Sequence, residues 1–268
     1  MIANKKVDIK FSMLEASNRF KDQGRDNPNG WGVGWYENGI SRLEKYSGSA
    51  FKSGRFDSLV KELESRIIIA HVRLASVGKS DNINNAHPFL YKNWLFAHNG
   101  TIWGYKQIQE MLVAPYNEHF TSEPIDSEIY FRFLIQNIEK EGNRIDGIRN
   151  AVKKIIPYAS GANFILTDGK YLYGFRYGNK LNFLFREPSL LNSTSKETGA
   201  LIESKRLEGE KAVLIASERL TDEDWEELQN GELLIISPEL ERRREILLKR
   251  EDYYECKVKK HVRRNKKN

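Results

Sequence analysis

Apolar and polar positions alternate in short blocks along the chain, and the first blocks predict strands. Arg66 to Leu74 and Trp94 to Ile102 are apolar runs rich in aromatic or β-branched residues, with the length of buried strands. Trp31 to Tyr36 also has the composition of a strand. Asn38-Gly39 predicts a tight turn from there into a partner strand over Arg42 to Tyr46. The first hundred residues therefore predict a sheet.

The middle of the chain has helical spacing. Apolar residues recur every three or four positions over Phe56 to Leu63, Ile125 to Ile138 and Ile145 to Ile156. Asp126 and Ser127 stand at the start of the second segment, where short polar side chains commonly cap a helix. Two consecutive helices are therefore expected between residues 125 and 156.

Strand patterns return after these helices. Phe164 to Thr167, Tyr171 to Tyr177 and Leu181 to Phe185 follow one another closely and predict a three-stranded meander. Two more apolar strands are predicted at Ala212 to Ser217 and Glu232 to Ile236. Strands, then helices, then strands again predict one α+β domain of stacked sheets with helices outside them.

Composition and charge narrow the class of protein. The chain has 268 residues, 40 % of them hydrophobic, which is enough to bury a core, and its apolar runs are too short to span a bilayer. The formal net charge of +6 arises in residues 241–268, which hold 12 Lys or Arg and 5 Asp or Glu. We therefore expect a nearly neutral domain over 1–240 and a basic C-terminal tail over 241–268, part of it disordered. A cytoplasmic protein without a membrane segment is expected.

Neither a disulfide nor a cofactor is predicted. The single cysteine, Cys256, lies in the basic tail and excludes an internal disulfide and a cysteine-based metal cluster. The glycines between Gly30 and Gly34 lack the Lys-Ser/Thr sequence of a phosphate-binding loop. No His, Asp and Glu residues have the spacing of metal ligands, so no metal is expected either.

Two stretches place histidine or arginine where a core strand would be apolar. His71 and Arg73 lie at the end of a predicted strand, where an arginine can hold a carboxylate through two parallel hydrogen bonds. An edge strand with a solvated polar face is the alternative. His87 precedes a proline, which keeps its backbone extended, although a lone histidine is commonly structural.

Two further stretches carry polar groups at the ends of predicted elements. Asn99-Gly100 follows an apolar strand and offers a side-chain amide beside an unobstructed backbone N–H, the pair of donors that an oxyanion requires. An ordinary hairpin turn would explain the same dipeptide. Asp126-Ser127-Glu128 stands at the start of a predicted helix, where capping alone would explain it.

Together these stretches resemble the class II glutamine amidotransferases, which have the N-terminal-nucleophile hydrolase fold. The resemblance covers the chain from about residue 2 to about residue 236 and is greatest to the stand-alone subgroup of that family. It implies a four-layer αββα sandwich with two antiparallel sheets stacked between helices. The segments that carry it are Asn29 to Tyr36, His71 to Ser76, Asn85 to Phe89, Ala97 to Gly100 and Asp126 to Glu128.

The resemblance also implies roles for individual residues. Arg73 matches the arginine that pairs with the α-carboxylate of glutamine, Asp126 the aspartate that holds its α-ammonium, and Asn99 with Gly100 the oxyanion hole. The residues expected to line or support the pocket are His71, His87, Trp31 and Gly32. The implied ligand is glutamine or a γ-glutamyl small molecule, and the implied reaction hydrolyses its γ-amide through a thioester. An ammonia-accepting partner protein is a further implication.

The nucleophile of this family is not present in the chain. The family places a cysteine directly after the initiator methionine, and this sequence begins Met1-Ile2-Ala3-Asn4. In one interpretation Met1 matches a position five or six residues into the family sequence, and the full-length form carries the cysteine. In the other, the protein is a pseudoenzyme that kept the pocket without the nucleophile. The chain as written is expected not to hydrolyse glutamine.

Two alternative functions remain open. A hydrolase of γ-glutamyl peptides would need the same contacts to the glutamyl group, so those residues do not separate it from a glutaminase. A binding protein could instead use the basic tail, where Arg242-Arg243-Arg244 and Lys259-Lys260 can contact phosphates. Only Tyr253-Tyr254 accompany these cations as aromatic residues, so binding of nucleic acid is not expected, and the tail is the only candidate for it.

Overall fold

The structure, a computed structural model, describes residues 1–76, 81–120, 122–187, 193–194, 201–202 and 209–253. Within them the strands are β1 (Ile2–Asp8), β2 (Trp31–Glu37), β3 (Ile40–Tyr46), β4 (Glu64–Val72), β5 (Phe89–Tyr91), β6 (Trp94–Ile102), β7 (Ala159–Thr167), β8 (Leu172–Phe175), β9 (Asn182–Arg186), β10 (Ser193–Thr194), β11 (Leu201–Ile202), β12 (Ala212–Ala216), β13 (Glu226–Glu227), β14 (Glu232–Ile236) and β15 (Arg242–Ile246). The helices are α1 (Gly54–Glu62), α2 (Tyr105–Gln109), α3 (Asp126–Glu141) and α4 (Arg144–Ile155).

Two large antiparallel sheets form the centre of the molecule. The seven-stranded sheet has the order β13-β9-β12-β1-β4-β2-β3, and the six-stranded sheet has the order β15-β14-β8-β7-β6-β5. In the first, β1 is a central strand because Ile2 pairs with Val213 of β12 on one side and with Ile67 of β4 on the other. The chain therefore enters the fold in the middle of a sheet.

Three apolar clusters separate four layers. One, which contains Phe96 and Ile148, joins the six-stranded sheet to α3 and α4. A second, which contains Ile2 and Leu95, lies between the two sheets, and a third, which contains Val33, joins the seven-stranded sheet to α1. This is the predicted αββα sandwich, and it follows from strands that are apolar on both faces.

The predicted meander is wrong in its last strand. Phe164 to Thr167 and Tyr171 to Tyr177 contain β7 and β8, which pair with each other as expected. The third strand, β9, pairs with β12 and β13 in the other sheet. The segment between β8 and β9 crosses between the sheets, and the Asn163 side chain donates to the carbonyl oxygens of Asn179 and Lys180 in it. An apolar strand pattern does not indicate which of two sheets the strand joins.

The chain continues past residue 240 as β15, which pairs with β14. Arg244 in this strand donates to the Glu232 carboxylate, and Arg242 lies over the ring of Phe185 at 4.4 Å. Some cations of the predicted tail thus lie at the edge of the six-stranded sheet. Residues 254–268, with Cys256, lie outside the described residues, and the tail stays a prediction there. In the described part of the chain, no helix is long and apolar enough to cross a membrane.

An aromatic stack holds β6 against α3. Phe96 of β6 and Phe131 of α3 are fully buried, with ring centroids 5.1 Å apart and planes inclined by 5°. The same strand carries Asn99 and the same helix begins at Asp126, so this stack sets the relative position of two predicted site residues. Offset stacks of this kind add to the free energy of burying the rings.

We expect Phe96→Ala to reduce the free energy of unfolding by about 3–5 kcal/mol, because it removes a fully buried ring and leaves a cavity. Leu90→Ala, one strand away at a side chain that is 38 % exposed, should cost less than about 1 kcal/mol. Urea unfolding monitored by circular dichroism measures both values. Equal losses in the two variants would show that the stack does not stabilise this contact.

Candidate functional site

A cavity of about 1060 Å³ is lined by residues of both sheets and of helix α3. It brings together six of the eight predicted site residues, which lie far apart in the sequence. These are His71, Arg73, His87, Asn99, Gly100 and Asp126. Its volume lies just above the range of small-molecule pockets, which is about 300–1,000 Å³.

Arg73 is held at the end of β4 by the turn that precedes β2. Its backbone N–H donates to the Gly30 carbonyl oxygen at 2.8 Å, and its carbonyl oxygen accepts the N–H of Asn29 at 2.9 Å. The Asn29 side chain accepts the N–H of Ala75 at 3.0 Å, which secures the chain after the strand. Arg73 is only 4 % exposed, and burial lowers the pKa of its guanidinium while the nearby Asp126 raises it. The guanidinium is thus a buried cation beside a carboxylate.

Asp126 is 2 % exposed, and its carboxylate points to strand β6. Its Oδ2 accepts the backbone N–H of Ile102 at 2.9 Å. Helix α3 has Ile125 at its N-cap and no side-chain cap, so the capping roles predicted for Asp126 and Ser127 are wrong. The carboxylate is used by the neighbouring strand, and the positive end of the helix dipole adds to its stabilisation.

Asn99 and Gly100 stand in β6 where it pairs with β7. A side chain at Gly100 would place its Cβ 2.1 Å from the carbonyl oxygen of Gly161, so only glycine allows the two strands to approach this closely. The Asn99 amide nitrogen donates to the Ser217 hydroxyl at 2.9 Å, and its oxygen accepts from the Asn179 side chain at 3.0 Å. Both site residues line the cavity.

Three histidines form a second wall of the cavity. The rings of His71 and His87 lie 4.3 Å apart, and those of His87 and His98 lie 6.5 Å apart. His98 Nε2 lies 3.3 Å from the carbonyl oxygen of Gly161. Because a carbonyl oxygen can only accept a hydrogen bond, Nε2 carries the hydrogen. Its Nδ1 then accepts the hydroxyl of Ser127 at 2.9 Å.

These histidines are neutral near pH 7. Burial lowers the pKa of His71 to about 3, and it lowers the pKa values of His87 and His98 as well. His71 Nδ1 is buried without a hydrogen-bond partner. Among the residues that the structure describes, no three His, Cys, Asp or Glu side chains are grouped so as to hold a metal ion.

The cavity also contains the end of strand β1. Met1 and Ile68 exchange two backbone hydrogen bonds, of 2.9 and 3.0 Å, and burial lowers the pKa of the Met1 amino group to about 5. Strand β4 continues beyond this pair to Val72, and β12 continues to Ala216. Residues 68–73 and 214–218 line the cavity, so part of it is a slot between two strand edges, in line with β1.

The structure does not bring Trp31 and Gly32 to the cavity. Trp31 is fully buried on the other side of the sheet, where its ring packs edge-on against Phe56 at 5.2 Å. Gly32 lets β2 pass close to His87, because a Cβ there would lie 2.3 Å from the His87 carbonyl oxygen. Gly32 therefore lies behind His87 in the wall of the cavity, whereas Trp31 belongs to the apolar core beneath α1.

Several polar residues of the cavity were not singled out from the sequence. His98 is among them, although a histidine inside an apolar strand is a signal that could have found it. Ser127, Asn163, Asn179 and Ser217 have ordinary sequence surroundings, and only the folding of distant segments around one cavity brings them together.

Comparisons with known proteins identify the family and the fold of the chain. Residues 1–244 match the sequence profile described as class-II glutamine amidotransferases. An uncharacterized protein of Methanocaldococcus jannaschii is 33 % identical over 252 residues, which cover 87 % of this chain and 66 % of that protein. The γ-glutamyl-hercynylcysteine sulfoxide hydrolase of Mycobacterium tuberculosis is 34 % identical over 84 residues, or 31 % of this chain and 36 % of that protein.

A solved structure has the same architecture. The glutamine aminotransferase class-II domain protein of Silicibacter pomeroyi superimposes with a TM-score of 0.59 at 18 % identity, covering 82 % of this chain and 92 % of that one. The sandwich is therefore of the N-terminal-nucleophile hydrolase type. On the match of residues 1–244, the chain belongs to the class-II glutamine amidotransferases.

Protonation of the buried histidines should reduce stability in acid. The pKa of His71 is about 3 in the folded protein and 6.5 in the unfolded chain. As the pH falls, the unfolded chain is therefore protonated at His71 before the folded protein is. Its contribution to stability is therefore complete above pH 6.5 and declines as the pH falls towards 3. The loss at pH 5 is about 2 kcal/mol for one such histidine. We expect His71→Gln to lose less stability between pH 7.5 and pH 5 than the parent protein in urea unfolding.

His119→Gln is the matched control, because the His119 side chain is 90 % exposed. It should lose as much stability as the parent protein over the same pH interval. If His71→Gln and the parent protein lose equal amounts, His71 is not held neutral by burial.

Proposed function

We propose that the protein binds the γ-glutamyl group of glutamine or of a larger γ-glutamyl compound, and hydrolyses the γ-amide when a cysteine thiol is present in the cavity. One observation carries this proposal: Arg73, Asp126, Asn99 and Gly100, from four separate stretches of the chain, all line the same cavity. Membership of the class-II glutamine amidotransferases supports the choice of ligand.

The charges suit an α-amino acid. Arg73 offers a guanidinium that can hold the α-carboxylate through two hydrogen bonds, and Asp126 offers a carboxylate for the α-ammonium. An amino acid carries these two groups on one carbon, so a receptor needs a cation and an anion side by side. The effect of Asp126 on the pKa of Arg73 reflects that proximity. Both charges are buried, which strengthens their attraction for a ligand of opposite charge.

The amide end of the ligand would meet Asn99 and Gly100. Attack of a thiolate on the γ-carbonyl carbon forms a carbon–sulfur bond and places a negative charge on the carbonyl oxygen. The Asn99 side-chain N–H and the Gly100 backbone N–H are suitable donors for that oxygen. When the intermediate collapses, the carbon–nitrogen bond breaks, the amine leaves with the thiol proton, and water then hydrolyses the thioester to glutamate.

The slot in line with β1 is where the thiol would enter. If β1 were extended before Met1 with the same antiparallel pairing to β4, the residues four and five positions ahead of Met1 would face Val72 and Arg73. A cysteine there would lie beside the proposed carboxylate-binding arginine. The family resemblance implies the same spacing, since it matches Met1 to a position five or six residues into the family sequence.

A γ-glutamyl peptide is the second candidate ligand. The cavity, at about 1060 Å³, leaves space beyond a bound glutamyl group, including the slot. A relative of part of this chain is named for hydrolysis of a γ-glutamyl compound. Whether a further protein accepts the ammonia from glutamine stays a prediction.

Binding can be tested without hydrolysis, by titration calorimetry of the present chain with L-glutamine. We expect Asp126→Asn to weaken binding about 10–100-fold, because it removes the partner of the α-ammonium while keeping an acceptor for Ile102. N-acetyl-L-glutamine lacks the ammonium, so its weaker binding should be the same in the variant and the parent protein.

Arg144→Lys is the control for a general effect of replacing an arginine by lysine, because Arg144 pairs with Asp168 away from the cavity. It should bind L-glutamine as the parent protein does, whereas Arg73→Lys should bind it about 10–100-fold more weakly. Equal binding by Arg73→Lys, Asp126→Asn and the parent protein would contradict the proposed site.

Hydrolysis can be tested with N-terminal extensions that place a cysteine three, four, five or six residues ahead of Met1, at the free N-terminus. We expect release of glutamate from L-glutamine by the forms with four or five residues, at least about 100-fold above the same forms with alanine for cysteine. The chain that starts at Met1 should release none. Comparison of glutamine with γ-glutamyl dipeptides then ranks the two candidate ligands.

Two outcomes would contradict this part of the proposal. Hydrolysis by the chain that starts at Met1 would show that no added thiol is needed. The second outcome is that the extensions raise the melting temperature, and so join the fold, but release no glutamate from either ligand. The protein would then be a binding protein and not a hydrolase.

A further inference from the structure

The segment that crosses from one sheet to the other lines the cavity at Asn179 and Leu181. It comprises residues 176–181, between β8 of the six-stranded sheet and β9 of the seven-stranded sheet. Asn179 in this turn reaches Asn99, its side-chain nitrogen donating to Asn99 Oδ1 at 3.0 Å. The crossover thus does more than connect the sheets, because it contacts a predicted oxyanion donor.

Asn99 is held from two sides. While Asn179 donates to its oxygen, its own nitrogen donates to the Ser217 hydroxyl at 2.9 Å. Ser217 follows β12 in the seven-stranded sheet, and Asn99 belongs to the six-stranded sheet. An amide nitrogen carries two N–H groups, so one remains for a ligand in the cavity that Asn99 lines.

Buried side chains fix both of these partners. Asn163, which is 1 % exposed and pairs with Asn99 across β6 and β7, donates to the Asn179 carbonyl oxygen at 3.1 Å. The Arg176 guanidinium donates to the same oxygen at 3.0 Å. Asn182, which is 3 % exposed, donates to the Ser217 carbonyl oxygen at 3.2 Å. The contacts to Asn99 therefore rest on residues rooted in both sheets.

We propose that Asn179 is a positioning residue, which sets the orientation of the Asn99 carboxamide so that its N–H, and not its oxygen, is offered to the cavity. This inference rests on the proposed function, in which Asn99 donates to the oxyanion. A carboxamide can be rotated by 180° with almost no change in shape, but the rotation exchanges the positions of its N–H donors and its oxygen acceptor. An N–H donor on one side of Asn99 selects the orientation in which the oxygen faces that donor.

The reversed orientation would oppose the reaction. It would leave the Asn179 N–H and the Asn99 N–H facing each other and turn the Asn99 oxygen towards the side on which the oxyanion forms. Two oxygens of like partial charge would then lie together where the transition state needs a donor. We therefore expect the reversed orientation of Asn99 to raise the free-energy barrier of the chemical step. It should change the affinity for the uncharged amide of the substrate very little.

The variant Asn179→Asp tests this, because it has nearly the same shape and removes the donor. Its carboxylate can only accept, so it selects the Asn99 orientation in which the N–H faces residue 179. Asn230→Asp is the matched control. The Asn230 side-chain oxygen accepts the N–H of Gly178 at 2.8 Å in the same turn, and aspartate keeps that oxygen while adding the same charge.

In the active cysteine-bearing extended form, Asn179→Asp should lower kcat for L-glutamine about 100-fold and change KM less than about threefold. Asn230→Asp should lower kcat less than about threefold. Adding Asn179→Asp to Asn99→Ala should cause no further loss, because the group that it positions is gone. A kcat for Asn179→Asp equal to that of Asn230→Asp would overturn the proposal.

A readout without catalysis separates this inference from the proposed function. In the chain that starts at Met1, the side-chain amide signals of Asn99 can be assigned in a nitrogen–proton correlation spectrum by their loss in Asn99→Ala. They should move in Asn179→Asp and keep their place in Asn230→Asp. If they do so while no extended form hydrolyses glutamine, the positioning stands and the hydrolytic function fails. If they stay in place in both variants, Asn179 does not orient Asn99.

Discussion

The burial of two opposite charges in one cavity, Arg73 and Asp126, is the constraint on which the rest of the site depends. Burying a charged group is costly unless hydrogen bonds or an opposite charge compensate for the water that it loses. The fold meets this requirement with main-chain contacts: the turn around Asn29 secures the end of β4, and the N–H of Ile102 binds the Asp126 carboxylate. The end of β4, the turn around Asn29 and the start of α3 must therefore all be in place before both charged side chains can be buried.

Burial also keeps the three histidines of the cavity wall neutral. Loss of contact with water lowers the pKa values of His71, His87 and His98, because it disfavours their charged forms. His98 is neutral and spans from Ser127 of α3 to Gly161 of β7, so it connects the helix layer to the sheet. With these histidines neutral, Arg73 and Asp126 are the buried charged side chains of the cavity lining in the described part of the chain, and a cation and an anion together suit a zwitterionic ligand.

Much of this could be predicted because the local signals were strong. The strand over Trp94 to Ile102 and the helices near residues 125 and 145 follow from apolar periodicity, and Arg73, Asn99, Gly100 and Asp126 stand out as polar groups at the ends of these elements. The predicted meander was wrong because strand patterns are alike in both sheets. The predicted cap was wrong because an acidic residue at a helix start can equally bind a neighbouring strand. In both errors, a local pattern had more than one long-range solution.

The sequence by itself indicated the family, the residue types of the site and most of the longer elements, because periodicity and short motifs are local properties. The tertiary structure alone decided which of those residues meet. It separated Trp31 from the cavity, brought His98, Asn179 and Ser217 to it, and placed the open slot between β4 and β12 in line with Met1. These outcomes depend on strand order, on register and on a crossover between sheets, and such pairings arise from the packing of the whole chain.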